Sequence, residues 1–162
     1  MYRLQANPMQ LVPRIGEFEN ARGRVLEDAE LGRLWKALDD CGAEVAATIR
    51  CIVLLGGQRI RQVVRATWQD YSRSEGRLRL TDAKGKRSHP VDHLLPVSKR
   101  VAKELEGLYA VNSGGEYIFS TTLGEKPIHD STISSVIGQL AKKTTSNGDA
   151  FRPSDIRRTV ET

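Results

Sequence analysis

Two arginines occupy positions suited to gripping an anion. Arg59 follows Gly56-Gly57-Gln58 and precedes a short helical run, Ile60 to Ala66, so its guanidinium falls at a predicted helix start beside backbone N–H donors. Arg157 follows Ser154 and Asp155, both residues that favour a helix N-terminus, and so stands in a second context of the same kind. A guanidinium holds its donors in one plane and pairs bidentately with phosphate oxygens; two of them meeting at one point would hold a phosphodiester. His89 and His93 flank Asp92 at a spacing that suits a metal only on a helix, and Pro90 with the alternating residues around it indicates extended chain instead. Neither a metal site nor a cofactor is predicted. Cys41 and Cys51 have no CxxC spacing and read as buried free thiols, which sets redox chemistry aside.

The charge distribution agrees with an anionic partner. The 162 residues carry a net charge of +5, but the excess is local. Between Arg50 and Lys103 there are thirteen Lys and Arg against four acids, whereas the remainder carries twelve against sixteen. A basic middle between acidic ends predicts one positive face, and a phosphate backbone is the commonest partner of such a face. No run of about 18 apolar residues is present and the start lacks a basic-then-apolar leader, so the expectation is a cytoplasmic protein that neither spans a membrane nor is exported.

The elements that must position these arginines can be read from hydrophobic period. Residues 1–24, with Pro8, Pro13, Gly16 and Gly23, read as an arm or interdomain linker; one domain is predicted over 25–162. Leu31, Leu34, Trp35 and Leu38 form a helical stripe capped by Asp28 and ending near Asp40. Ala46 to Leu55 is apolar nearly all round, which predicts a central helix stopped by Gly56-Gly57. At Leu78 and Leu80 the period changes to two, and Val91 to Val97 is a second extended run, with Lys84-Gly85-Lys86 as the turn of a small antiparallel sheet. Ser98 caps a helix bearing Val101, Leu105, Leu108 and Tyr109; Tyr117-Ile118-Phe119 reads as a short buried strand or extended segment. Ile133, Val136, Ile137 and Leu140 mark another helix, capped by Asp130 or Ser131. Trp35 and Trp68 read as core residues. The fold class is mainly α with a small antiparallel β-sheet.

Within this frame, Gly57-Gln58-Arg59 through Trp68-Gln69-Asp70 resembles the G-x-R-x-x-E-x-x-x-L-x-W-x-D segment of the tyrosine recombinases, the phage integrase family. Lys84 in a hairpin turn, Pro96-Val97-Ser98 before a helix, Glu116 to Ser120, and Ser154-Asp155-Ile156-Arg157-Arg158-Thr159, similar to H-D-L-R-R-T, follow in the family's order. The resemblance covers residues 24–162. It implies the catalytic-domain fold of that family, incomplete at its C-terminus, and site-specific DNA integration and recombination in which a tyrosine attacks a phosphodiester without a metal. Arg59 and Arg157 would stabilise the phosphate oxygens. Lys84, or Lys86 two residues along, would protonate the departing 5′ oxygen. Ser154 would hydrogen-bond the phosphate, while Lys86, Arg87, Arg61 and Arg158 would contact DNA. The implied partners are a duplex attachment site and further copies of the protein in a multimer.

Three departures from the pattern have consequences. Ser154 stands where the family has histidine, so a hydrogen bond is retained but no group there titrates near neutral pH. Gln62 replaces a glutamate and with it a charged brace for Arg59. Tyr2, Tyr71, Tyr109 and Tyr117 all precede Arg157, so the expected nucleophile is absent from these residues, and a fragment ending at Thr162 is expected to be inactive. The full protein is expected to carry a further DNA-binding domain ahead of a linker at Ala6-Asn7-Pro8. The alternative reading is a non-catalytic DNA-binding remnant of an integrase, with a basic domain for an RNA or protein partner as a third.

Overall fold

The computed structural model describes residues 23–82, 91–145 and 148–161. Among the described residues, six α-helices and a three-stranded sheet follow one another as α1 (Asp28–Ala37), α2 (Ala43–Leu54), α3 (Ile60–Val64), β1 (Tyr71–Ser72), β2 (Arg77–Asp82), β3 (Val91–Pro96), α4 (Lys99–Asn112), α5 (Asp130–Thr144) and α6 (Pro153–Glu161). This is the predicted class, mostly helical with one small antiparallel sheet.

The apolar stripes account for the packing. α2, with Ala46, Ala47, Ile49, Cys51 and Ile52 all buried, lies at the centre and contacts α3, α4, α5 and α6. α1 packs on α5 through Leu34, which is buried together with Ile133, Ile137 and Leu140. In β2 the alternation Arg77, Leu78, Arg79, Leu80 puts the leucines in the core and the arginines in solvent, as a period of two requires. β2 pairs antiparallel with β3 in the register Leu78 to Leu95, Leu80 to His93 and Asp82 to Val91. His93 therefore sits on extended chain; His89 and the turn at Lys84-Gly85-Lys86 lie outside the described residues.

Several local expectations are corrected. α1 starts at Asp28, but its N-cap is Glu27, whose N–H donates to the Glu30 side chain at 3.2 Å. α5 is capped by His129, whose ring Nδ1 accepts from Ser131 N–H at 3.3 Å, rather than by Asp130 or Ser131. α3 stops at Val64, two residues early, with Arg65 as its C-cap. Tyr71–Ser72 adds a third strand too short to show a period. Trp68 is half-buried at the core's edge, where its Nε1 donates to Asn112 O at 3.1 Å and its ring meets Tyr109 edge-on at 5.0 Å. Trp35 is also half-buried, below the Arg50 guanidinium. Cys51 is buried and Cys41 half-buried, both free.

Behind α4 the chain has little regular structure, and side chains replace the ladder. Asn112, fully buried, donates from Nδ2 to Ile118 O at 2.9 Å and Ser120 O at 3.1 Å, and Ser120 Oγ accepts from Thr122 and Gly124 N–H. Tyr117 makes a single bridge to Thr67, so 117–119 is an extended segment. These bonds satisfy buried backbone groups that would otherwise cost about 1–3 kcal/mol each.

Candidate functional site

The turn bearing Arg59 is built by the end of α2. Gly57 N–H donates to Ile52 O at 3.0 Å and Gly56 N–H to Val53 O at 3.2 Å, the paired bonds of a Schellman stop. Both glycines have positive φ, +83° and +66°. Gln58 adds a bond from Nε2 to Leu55 O. Arg59 is thereby delivered as the N-cap of α3, with its side chain 41% exposed. α3 has only five residues, so its dipole contributes little; the guanidinium itself carries the positive charge.

α6 packs its backbone at Arg157 against this turn. A Cβ on Gly57 would lie 2.6 Å from Arg157 Cα and 3.0 Å from Arg157 O, so the turn and α6 touch backbone to backbone at that residue. Arg157 is half-buried in the second turn of α6, not at its start. Ser154 is exposed in the first turn of the same helix.

The seat of α6 is polar and closely bonded. Asp155, with no exposed surface, accepts from Arg152 N–H at 2.9 Å and from Arg158 Nη1 at 3.1 Å. Arg158 also donates to Arg24 O at 3.2 Å, and Leu26 N–H donates to Thr159 Oγ1 at 2.8 Å. Arg24 in turn holds Glu30 at 2.6 Å and Asp149 at 3.3 Å. The segment that opens the domain is thus laced to α6 on the residues that follow Arg157. The Asp155 position was legible as a helix-start signal; the part played by Arg24 and Thr159 had no sequence signal, since their partners lie more than 130 residues away.

Among the other expected site residues, Arg61 is exposed on α3, and Arg158 has the structural bonds just given. Lys84, Lys86 and Arg87 lie outside the described residues. Arg59 pairs with Asp82, the last residue of β2. Gln62, which stands where the resemblance expects a glutamate brace for Arg59, is buried and its Nε2 has no partner among the described residues.

Part of the positive charge of the middle region is internally paired. Arg50 holds Asp39 at 2.5 Å, Arg73 holds Glu106 at 2.7 Å, and Arg79 holds Asp70 at 2.7 Å. Arg61, Arg65 and Arg77 form no ion pair among the described residues and present their charge to solvent. Burial pushes the Asp70 carboxyl up, but Thr67 N–H, the Arg79 guanidinium and the Thr67 hydroxyl together bring it below the usual range. Among the described residues no group of three or more His, Cys, Asp or Glu could hold a metal, and no helix is long and apolar enough to cross a membrane.

A polar, arginine-bearing turn set against a short helix, beside a small sheet and within a mostly helical domain, is the catalytic-domain fold of the tyrosine recombinases. The phage integrase family model matches residues 24–162, and the chain belongs to that family. Among solved structures it is similar to XerA recombinase, with a TM-score of 0.68 at 20% identity over 94% of this chain and 52% of that one. The lambda integrase catalytic core gives 0.66 at 20% identity over 86% and 81%. A lambda integrase tetramer bound to a Holliday junction gives 0.68 at 18% identity over 87% and 43%. The chain thus spans about half the length of XerA recombinase. No curated protein sequence matches it.

Proposed function

We propose that this chain supplies the phosphate-gripping part of a phage or genomic-island type integrase that performs site-specific recombination on duplex DNA in the cytoplasm. The observation that supports this reading is the close backbone approach of Gly57, two residues before Arg59, to Arg157. In the reaction a tyrosine outside these 162 residues attacks the phosphorus; the new O–P bond forms as the bond to the 5′ oxygen breaks. Arg59 and Arg157 stabilise the charge that grows on the non-bridging oxygens, and Ser154 adds a hydrogen bond. Lys84 or Lys86 passes its proton to the leaving oxygen. Arg61, Arg87 and Arg158 are assigned to the DNA side, where phosphate contacts dominate affinity. Several copies would assemble on the site, as the tetrameric lambda integrase structure does on its junction. Residues 1–24 would join this domain, residues 25–162, to a preceding one.

The test is covalent-complex formation by the full-length gene product on a nicked suicide duplex. Wild type is expected to form the complex, and Arg59→Ala or Arg157→Ala to reduce it about 10³-fold or more with melting temperature retained. Cleavage by Arg59→Ala at the wild-type rate overturns the assignment. Tight DNA binding by wild type with no covalent product at all establishes instead the non-catalytic remnant, the reading favoured by Ser154 and Gln62.

A further inference from the structure

The geometry points to Asp82 as the positioning residue for Arg59, a carboxylate brace moved from α3 to the end of β2. This rests on the reading of Arg59 as a phosphate ligand. Two observations carry it together. Gln62, three residues along from Arg59 and in the place where the resemblance expects a carboxylate, is buried and leaves its amide nitrogen without a partner among the described residues. Asp82, only 13% exposed in its side chain, accepts a hydrogen bond from Arg59 Nη1.

A half-exposed arginine has several rotatable bonds, and restricting it costs side-chain entropy. A fixed carboxylate on a sheet strand meets that cost before any ligand arrives. The anchor is the β2–β3 ladder, in which Asp82 stands opposite Val91. The contact uses Nη1 alone, so the edge formed by Nη2 and Nε has no partner among the described residues and can present two N–H groups to one phosphate. Asp82 also precedes Lys84 and Lys86 by two and four residues in the sequence. One side chain therefore links the arginine that would stabilise the phosphate to the strand leading into the lysines that would protonate the leaving oxygen.

The relocation makes a prediction that a mere surface ion pair does not: the lost brace can be restored from its other position. In the full-length protein, single-turnover cleavage of a suicide duplex and DNA affinity are measured for wild type, Asp82→Asn, Gln62→Glu and the double variant, with melting temperatures alongside. Asp82→Asn is expected to slow cleavage about 10- to 100-fold, the scale of a small misplacement of a reacting group. Its DNA affinity should stay within about threefold, because many other phosphate contacts set binding. Gln62→Glu added to Asp82→Asn is expected to recover most of the lost rate. Cleavage by Asp82→Asn at or above the wild-type rate overturns the proposal, as does slowing that Gln62→Glu leaves uncorrected.

A second measurement does not depend on cleavage. Without DNA, phenylglyoxal modification of Arg59, read by peptide mass spectrometry, is expected to be several-fold faster in Asp82→Asn than in wild type. Equal rates overturn the brace. A wild type that forms no covalent complex would refute the recombinase reading alone and leave this readout to decide the pairing.

Discussion

Replacing Gly57 by alanine tests whether the contact between the Arg59 turn and α6 is as close as its geometry implies. The added Cβ would stand 2.6 Å from Arg157 Cα and 3.0 Å from Arg157 O, with backbone rather than a flexible side chain as the obstacle. The residue also has φ +66°, which costs a non-glycine roughly 1–2 kcal/mol. Overpacking a closed contact adds about 1–3 kcal/mol, for a sum of about 2–5 kcal/mol. In a domain of this size each kcal/mol lowers Tm by roughly 2–4 °C, so a fall of about 4–20 °C is expected. Gly56→Ala is the internal reference: φ is +83°, but the nearest atom to its Cβ is Gln58 Nε2 at 3.9 Å. It should lose only the conformational part, about 1–2 kcal/mol. Calorimetry or circular dichroism melts of both variants give the comparison. If Gly57→Ala melts no lower than Gly56→Ala, the two segments are not held in backbone contact and the juxtaposition of Arg59 with Arg157 is wrong.

Asn112→Ala should destabilise by about 2–4 kcal/mol, since Ile118 O and Ser120 O lose their donor in a buried setting, and chemical denaturation will read it. Stability should also fall on the acid side. Burial raises the Glu30 carboxyl, but the Arg24 hydrogen bond, the Glu27 amide and the charges of Arg24 and Arg33 bring it below its ordinary value, as the bonds to Asp70 do there. Carboxyls depressed in the folded state stabilise it above their unfolded pKa, about 4, and that contribution is lost as pH falls through the folded values. A urea titration from pH 7 to pH 3 should show the loss beginning near pH 4, and Arg79→Met should reduce its amplitude. An unchanged midpoint across that range would refute the ion-pair accounting.

Some of this protein is present in its sequence because it depends on neighbours along the chain. The Gly56-Gly57 stop, the Ser98 cap, the alternation in β2 and the stripes of α1, α4 and α5 are all local, and local spacing is enough to find them. The G-x-R and Arg-Arg-Thr segments were legible for the same reason, as residue types at fixed intervals. The caps at Glu27 and His129 were missed because a glutamate and a histidine are uncommon there, and β1 because two residues carry no period.

Tertiary structure decided the rest. Which of the basic residues keeps its charge for a partner depends on acids far away in sequence: Arg73 is neutralised by Glu106 and Arg59 is held by Asp82, while Arg61 and Arg65 remain open to solvent. Arg158, assigned to the DNA side, is also bonded to a buried aspartate and to the carbonyl of Arg24, partners its sequence neighbours do not indicate. Ionic and hydrogen-bond partners are chosen by proximity in space, to which composition and period are blind. The seating of α6 on Gly57 is the clearest case: a hydrogen in place of a methyl group permits it, and only the folded chain brings residue 157 there.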